Sequence, residues 1–227
     1  MPLTIGPQTR RLVDMALDED AAARDPSAAV FPPDHTSTAE LVAKRPLVVA
    51  GQPVADLVFA RIDSTIEFEA RADEGQRLES GDLLGTVAGP TASLLRAERT
   101  ALNFLQRLSG IATKTARYVE ALGDPTTAIV DTRKTLPGFR HLDKYAVRCG
   151  GGHNHRFDLG GGVIVKDNHI AAAGGIAEAI AAIRDEAPHL LKIEVEVERL
   201  DGVDEQVMVL RLGNPPDGEY VVSVIRR

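Results

Sequence analysis

The strongest helical pattern in the sequence runs from Thr91 to Leu122. Apolar residues recur there every three or four positions, the spacing that places side chains on one face of a helix: Leu94, Leu95, Leu102, Leu105, Leu108, Ala112, Ala116 and Val119. Ser109 and Gly110 interrupt the pattern, so we expect a kink or two helices. Gly123-Asp124-Pro125 then ends the helix.

The chain before this helix alternates short apolar and polar runs, which predicts a small α+β unit. Residues 1–35 are expected to be weakly ordered, apart from a short helix around Arg11–Leu17. The further expected elements are one or two strands in Ala39–Val49, a helix at Gln52–Ala60, and strands at Ile66–Ala70 and Leu83–Ala88.

After the long helix the pattern changes to apolar strand, polar tip and helix. The predicted strands are Ala128–Val130, Val163–Val165 and Ile193–Val197, and the helix Ile176–Ala187 ends before Pro188. Because each strand is followed by polar residues, a parallel β/α arrangement is indicated. Binding residues in such folds collect at the carboxyl ends of the strands.

The third strand alternates apolar and acidic residues. Glu194, Glu196 and Glu198 share one face, because successive side chains of a strand point to opposite sides. The acidic face is either the solvent-exposed side of an edge strand or part of a ligand site. In the second case one or two carboxylates plus substrate oxygens fit Mg²⁺.

Composition excludes several classes of protein. The chain has 227 residues, a net charge of −7, no Trp and 4% aromatic residues, which argues against nucleic-acid and anionic-membrane binding. A single cysteine, Cys149, excludes a disulfide scaffold and suits a reducing compartment. We find no apolar leader and no stretch of membrane-spanning length, so a soluble cytoplasmic protein is expected.

Positive charge is concentrated between Asp131 and Ile170. This segment holds seven basic and four acidic residues, giving a net charge of +3, and it contains Gly150–Gly152 and Gly160–Gly162. A basic surface face is the simpler interpretation. Cations among glycines, which let the backbone approach a ligand closely, favour a site for a small and highly anionic ligand.

Several motifs occur in one order and spacing: Glu98-Arg99-Thr100-Ala101-Leu102-Asn103-Phe104-Leu105, Leu108-Ser109-Gly110-Ile111-Ala112-Thr113, Asp131-Thr132-Arg133-Lys134-Thr135-Leu136-Pro137-Gly138, Lys144-Tyr145-Ala146-Val147, Gly150–Gly152 with Asn154-His155-Arg156, Lys166-Asp167-Asn168-His169 and Glu194-Val195-Glu196-Val197. Together they resemble the quinolinate phosphoribosyltransferase family, whose members are also called nicotinate-nucleotide pyrophosphorylase (carboxylating). The resemblance is strong from about Thr91 to Leu200 and weaker from about Ala39.

The resemblance implies an α/β fold with an N-terminal α/β sandwich domain and a linking helix in residues 1–110. A partial open α/β barrel of the type II phosphoribosyltransferase kind would follow in residues 111–227. It also implies a pentosyltransferase that uses quinolinate, phosphoribosyl pyrophosphate and Mg²⁺ to make nicotinate mononucleotide for NAD synthesis. A homodimer, or a hexamer of dimers, would be the assembly.

The resemblance also assigns roles to residues. Arg133, His155 and Arg156 would hold the quinolinate carboxylates, since the planar fork of arginine pairs bidentately with a carboxylate. Lys134 and Lys166 would contact phosphoribosyl pyrophosphate, with Lys166 between the two substrates. The catalytic set implied by the resemblance is Lys134, Lys166 and Glu196, of which Glu196 faces ribose and Mg²⁺. Arg99 would enter the quinolinate pocket of the neighbouring subunit, and Asn168 and His169 would be supporting residues.

The resemblance ends at about Leu200. Family motifs for ribose, metal and phosphate binding are not found in Asp201–Arg227, which suggests a truncated or frame-shifted reading frame. The apolar runs Val207–Leu212 and Tyr220–Ile225 are expected to cover part of an exposed sheet edge. Three functions stay open: an active quinolinate phosphoribosyltransferase, an inactive relative acting as a dimerising or binding subunit, and a paralogous pyrophosphorylase with another acceptor, such as the one associated with molybdate transport.

Overall fold

A computed structural model of the chain describes residues 3–196 and the short strand at 223–226. The chain forms two compact units. Unit 1 comprises the chain up to Gly123 together with Leu136–Gly152, and unit 2 comprises Asp124–Thr135 together with the chain from His153 onward. The two units are described separately.

The described residues of unit 1 form two antiparallel sheets, four α-helices and two short 3₁₀ helices, Ala22–Arg24 and Pro26–Val30. Three strands form the larger sheet in the order β1-β5-β3, and β2 pairs with β4 in the smaller one. The strands are β1 (Thr36–Val42), β2 (Leu47–Val48), β3 (Glu67–Ala70), β4 (Arg77–Leu78) and β5 (Leu83–Pro90), and the helices are α1 (Pro7–Glu19), α2 (Gln52–Ile62), α3 (Thr91–Leu122) and α4 (Arg140–Cys149). The sequence predicted α2, β3 and β5 to within a few residues, whereas α4 was not predicted.

The N-terminal region is more ordered than the sequence suggested. Helix α1 begins at Pro7 rather than at Arg11, and the proline occupies the first helical position. Thr9 and Val13 are buried in unit 1, and the side chain of Val13 is fully inaccessible to solvent. The expectation of weak order across residues 1–35 is therefore wrong, because the apolar face of α1 packs into the core.

Helix α3 runs without a break from Thr91 to Leu122, so the expectation of two helices is wrong. Ser109 is buried and its hydroxyl bonds the backbone of Ala50, accepting from the amide at 3.1 Å and donating to the carbonyl at 3.2 Å. Gly110 lies on the exposed face. The polar residue that interrupts the apolar pattern thus ties α3 to the segment before α2.

Unit 2 contains the strands that carry the predicted site. Strands β7 (Val163–Val165) and β8 (Ile193–Val195) pair in parallel, with Val163 opposite Ile193 and Val165 opposite Val195. Helices α5 (Asp167–Ala173) and α6 (Ile176–Glu186) connect them. Val165, Ala179 and Val195 form the centre of this core. The predicted parallel β/α arrangement is confirmed for this pair.

Strand β6 (Thr127–Val130) has two partners. It pairs antiparallel with β9 (Ser223–Arg226), and Val130 forms a parallel bridge with His153. Strand β9 overlaps the apolar run predicted at Tyr220–Ile225, and it covers one side of β6 as expected. The run Val207–Leu212 lies outside the described residues.

The domain boundary predicted at residue 110 falls inside α3 and stays a prediction, since the two compact units are assembled from alternating stretches of chain. Within the parts of the chain that the structure describes, no helix combines the length and apolarity needed to span a bilayer.

Candidate active site

Asp131 organises the carboxyl end of β6. Its carboxylate accepts hydrogen bonds from the backbone amide of His155, at 2.9 Å, and from the side-chain amide of Asn154. The backbone amide of Asp131 in turn donates to the carbonyl of His153 at 3.0 Å. These bonds hold the segment from His153 to His155 beside the end of β6, so two motifs distant in sequence become neighbours.

His155 reaches from this segment to β8. Its Nε2 lies 2.9 Å from Oε2 of Glu194, and the two side chains are only 15% and 8% exposed. Because a carboxylate oxygen can only accept, the hydrogen bond assigns the proton to Nε2. The side of β8 that carries Glu194 is therefore buried, which rules out a solvent-exposed edge face at this position.

Arg156 is held by the glycine loop. Its guanidinium donates to the carbonyl of Gly162 at 2.6 Å. Partial burial lowers the pKa of Arg156, the like charge of Arg133 lowers it further, and the charge of Glu194 opposes the change. The three groups are thus close enough to interact electrostatically.

Both arginines have a hydrogen-bond donor that is not used within the described residues. The Nε atoms of Arg133 and Arg156 are buried, and neither has a hydrogen-bond partner among the described residues. Buried polar groups are usually satisfied, so these two unpaired donors indicate a hydrogen-bond acceptor that the described residues do not supply. The chemistry of the pair favours an anion with more than one oxygen group.

Lys166 and Glu196 follow the ends of β7 and β8. The amide of Glu196 donates to the carbonyl of Val165 at 2.8 Å, which continues the parallel pairing and brings the two side chains together. Lys166 Nζ lies 3.5 Å from Oε2 of Glu196, an ion pair without hydrogen-bond geometry. His169 accepts the amide proton of Lys166 through Nδ1 at 3.0 Å, so it caps α5.

Glu196 is a candidate ligand for Mg²⁺. Its Oε2 is buried and makes no hydrogen bond to any residue that the structure describes. No cluster of three or more acidic, histidine or cysteine ligands occurs in residues 3–196. A single carboxylate suits Mg²⁺, which is commonly held by one or two carboxylates together with substrate phosphates.

The other predicted residues, Lys134 and Arg99, have exposed side chains. Lys134 is exposed, and its backbone amide donates to the hydroxyl of Thr132 at 3.0 Å. Arg99 is an exposed residue of α3 in unit 1. The basic segment read from the sequence is also divided, because Arg140, Lys144 and Arg148 belong to α4 of unit 1. Lys144 is only 3% exposed, which fits a structural role.

Two residues at the site were not assigned roles from the sequence. Asp131 was detectable as the first residue after an apolar strand, and Glu194 as a residue on the same face as Glu196. Their partners, the backbone and side chain of His155, lie 24 and 39 residues away. The sequence therefore identifies these two carboxylates but not their hydrogen-bond partners.

Fold and site define an α/β protein that gathers cationic side chains at the carboxyl ends of its strands. Two family models match the chain: the N-terminal domain of quinolinate phosphoribosyl transferase over residues 25–109, and its C-terminal domain over residues 111–216. The chain belongs to the quinolinate phosphoribosyltransferase family. The second match continues past Leu200, where the resemblance by motifs ends.

Similar proteins carry names from this family. A probable nicotinate-nucleotide pyrophosphorylase (carboxylating) of Synechocystis is 46% identical over 202 residues, covering 87% of this chain and 68% of the relative. The corresponding protein of Bacillus subtilis is 40% identical and covers 92% and 74%. The human nicotinate-nucleotide pyrophosphorylase (carboxylating) is 44% identical and covers 83% and 63%.

Solved structures agree with the fold. NadC from Streptococcus pyogenes superimposes with a TM-score of 0.84 at 46% identity, covering 88% of this chain and 71% of that one. The nicotinate-nucleotide pyrophosphorylase from Francisella tularensis gives a TM-score of 0.82 at 39% identity, covering 86% and 69%. The predicted two-domain α/β fold is thereby confirmed.

Proposed function

We propose that this protein is a quinolinate phosphoribosyltransferase. It transfers the phosphoribosyl group of phosphoribosyl pyrophosphate to quinolinate and releases pyrophosphate and CO₂, leaving nicotinate mononucleotide for NAD synthesis. The observation that carries the proposal is the pair Arg133 and Arg156, whose charges interact and whose buried Nε donors have no partner among the described residues. Such a pair fits the two adjacent carboxylates of quinolinate.

The charges of this cluster favour a dianion. Burial weakens the hydration of the Arg156 guanidinium and the positive charge of Arg133 repels it, and both effects lower the pKa of Arg156. Glu194 compensates for only part of this positive charge. A bound dicarboxylate would supply the rest, so substrate binding would relieve an unfavourable arrangement.

Lys166 and Glu196 are placed for the second substrate. The ammonium group of Lys166 would contact the phosphoribosyl pyrophosphate, and the exposed Lys134 would add a second cation. Glu196 would face the ribose hydroxyls and hold Mg²⁺ together with substrate oxygens. The metal ion would supply neutralisation of the pyrophosphate charge.

The proposed reaction depends on the positioning of the two substrates and not on a covalent enzyme intermediate. The quinolinate nitrogen forms a bond to the anomeric carbon while the bond from that carbon to the pyrophosphate oxygen breaks, and positive charge develops on the ribose. Arg133, His155 and Arg156 would orient the ring nitrogen towards the ribose. The carboxylate of Glu196 would stabilise the developing positive charge. Loss of the 2-carboxylate as CO₂ leaves an electron pair on the ring carbon, which takes up a proton.

The assembly and the location of the protein are parts of the same proposal. Arg99 is exposed on α3, which suits a residue that completes the quinolinate pocket of a neighbouring subunit in a homodimer or in a hexamer of dimers. A cytoplasmic location fits an acidic chain with a single cysteine.

A turnover assay with quinolinate, phosphoribosyl pyrophosphate and Mg²⁺ tests the proposal, with nicotinate mononucleotide as the product measured. We expect product that depends on both substrates. Quinolinate binding without product would instead support the inactive, binding relative. Pyrophosphate release with another aromatic acceptor, and none with quinolinate, would support the paralogous pyrophosphorylase.

A further inference from the structure

Glu194 is a buried carboxylate for which the proposed chemistry has no direct use. Its side chain is 8% exposed, and its Oε1 makes no hydrogen bond within the described part of the chain. Removing a carboxylate from water is costly unless the charge is paired. Neither solubility nor strand propensity therefore explains why a glutamate occupies this buried position.

The carboxylate contacts the predicted quinolinate residues rather than the predicted ribose residues. Its Oε2 accepts from Nε2 of His155 at 2.9 Å, and its charge acts on the guanidinium of Arg156. Glu196, two residues along the same face, pairs instead with Lys166. The two carboxylates therefore have different partners: Glu194 interacts with His155 and Arg156, and Glu196 pairs with Lys166.

We propose that Glu194 is a positioning residue for quinolinate, acting through His155 and as a counter-charge to Arg156. This inference rests on the proposed function. His155 is fixed at two points, its backbone amide by Asp131 and its imidazole by Glu194. The carboxylate sets which ring nitrogen carries the proton and which way the imidazole faces.

A purely structural ion pair is the alternative. Buried ion pairs contribute little net stability, because desolvation offsets much of their attraction. The apolar residues of β8 already supply the packing, with Val195 buried against Val165 and Ala179. A positioning role accounts for a charged residue here, since a carboxylate both accepts a strong hydrogen bond from the imidazole and balances the charge of the arginine.

The test is steady-state kinetics of Glu194→Gln, which keeps the shape of the side chain and removes its charge. We expect KM for quinolinate to rise about tenfold, because the imidazole loses its strong acceptor, and KM for phosphoribosyl pyrophosphate to stay within about twofold. Glu194→Asp keeps the charge and should lie between wild type and Glu194→Gln. Glu186→Gln, an exposed change at the end of α6, is the matched control and should leave both constants unchanged.

A double-mutant comparison tests whether the effect passes through His155. If part of the effect does, Glu194→Gln should raise KM for quinolinate by a smaller factor in the His155→Ala background than in the wild-type background, and the remaining rise reflects the lost counter-charge to Arg156. Unchanged kinetics in Glu194→Gln, equal rises in both KM values, or fully additive effects would each overturn the inference. If Glu194→Gln does not fold, Glu194→Asp must show the selective rise in KM. A wild-type protein without turnover would count against the proposed function itself, which separates the two failures.

Discussion

At the level of single residues, the proposed recognition of quinolinate depends on guanidinium groups that are partly buried and have a donor without a partner among the described residues. The charge of Arg133 acts on Arg156, and each of the two side chains has a buried Nε without a hydrogen-bond partner among the described residues. Fork-shaped donors of this kind recognise carboxylates through two parallel hydrogen bonds, which a lysine cannot reproduce. The identity of the side chain, and not only its charge, should therefore decide binding.

Substitution of Arg133 tests this requirement. We expect Arg133→Ala to lower quinolinate affinity at least about 100-fold, because a bidentate contact to a buried carboxylate is lost. Arg133→Lys should recover only part of the affinity, since it keeps the charge without the fork. Titration calorimetry measures both, with exposed Arg184→Ala as the control. Unchanged affinity in Arg133→Ala would refute the assignment.

Cys149 is the last residue of α4, and the reactivity of its thiol reports on the surroundings of that residue. Burial raises the pKa of the Cys149 thiol to about 11, with the nearby carboxylate of Glu74 adding to the rise and Tyr145 opposing it. Since thiolate is the reactive form, alkylation by iodoacetamide at pH 8 should be at least about 100-fold slower than in the urea-unfolded chain. Equal rates in the two states would contradict the half-buried position of the thiol.

The same shift predicts a pH dependence of stability. Between the ordinary thiol pKa of 9.0 and about 11, the unfolded chain loses the proton while the folded chain keeps it. The contribution of Cys149 to stability is therefore present below pH 9 and is lost as the pH rises through this window. Cys149→Ala should lack this part of the alkaline loss when unfolding is followed in urea.

At the scale of elements, two glycines distinguish an open helix surface from a close helix contact. Gly110 lies in the interior of α3, where an added Cβ would meet open space. A Cβ on Gly150, in contrast, would lie 2.3 Å from the carbonyl oxygen of Ala112 and 2.7 Å from Cβ of Thr115. The chain after α4 can approach α3 only because Gly150 has no side chain.

Alanine at these two positions should have opposite effects. Gly110→Ala should stabilise the protein by about 0.5–1 kcal/mol, since alanine is the better helix former. Gly150→Ala should destabilise it by roughly 1–3 kcal/mol through overpacking against α3. Urea unfolding of both variants measures the difference in the free energy of unfolding. Destabilisation by Gly110→Ala would contradict the continuous helix.

Periodic elements were predictable from the sequence, and elements rich in charge were not. Helices α2, α3 and α6 and strands β7 and β8 follow apolar spacing that packing then confirms. Helix α4 was missed, although Leu142, Tyr145 and Ala146 are its buried face, because its basic residues suggested a ligand site. A sequence pattern shows which residues are charged but not which of them the fold buries in a different unit.

The site was predictable as a set of residue types and not as a set of contacts. Alternation along β8 places Glu194 and Glu196 on one face, but it does not show that one meets His155 and the other Lys166. Those pairings depend on how β6, β7 and β8 lie side by side, which is long-range information. The roles assigned to the site residues by resemblance remain predictions.

At the level of the whole molecule, we propose that a second subunit completes the site through Arg99. Mixing two inactive variants tests this arrangement. In a dimer of Arg99→Ala with Arg133→Ala, one of the two sites would contain both natural arginines, so random mixing should restore about a quarter of wild-type activity. Refolding the variants together and separately gives the comparison. No recovery in the mixture would contradict a shared site.

The proposed reaction is tested most directly by following the carbon that it removes. Quinolinate labelled with ¹³C in its 2-carboxylate would be incubated with the wild-type protein, phosphoribosyl pyrophosphate and Mg²⁺, and labelled CO₂ measured beside nicotinate mononucleotide. We expect one labelled CO₂ for each mononucleotide, and none without phosphoribosyl pyrophosphate. Bound quinolinate that releases no label in the complete mixture would contradict the account.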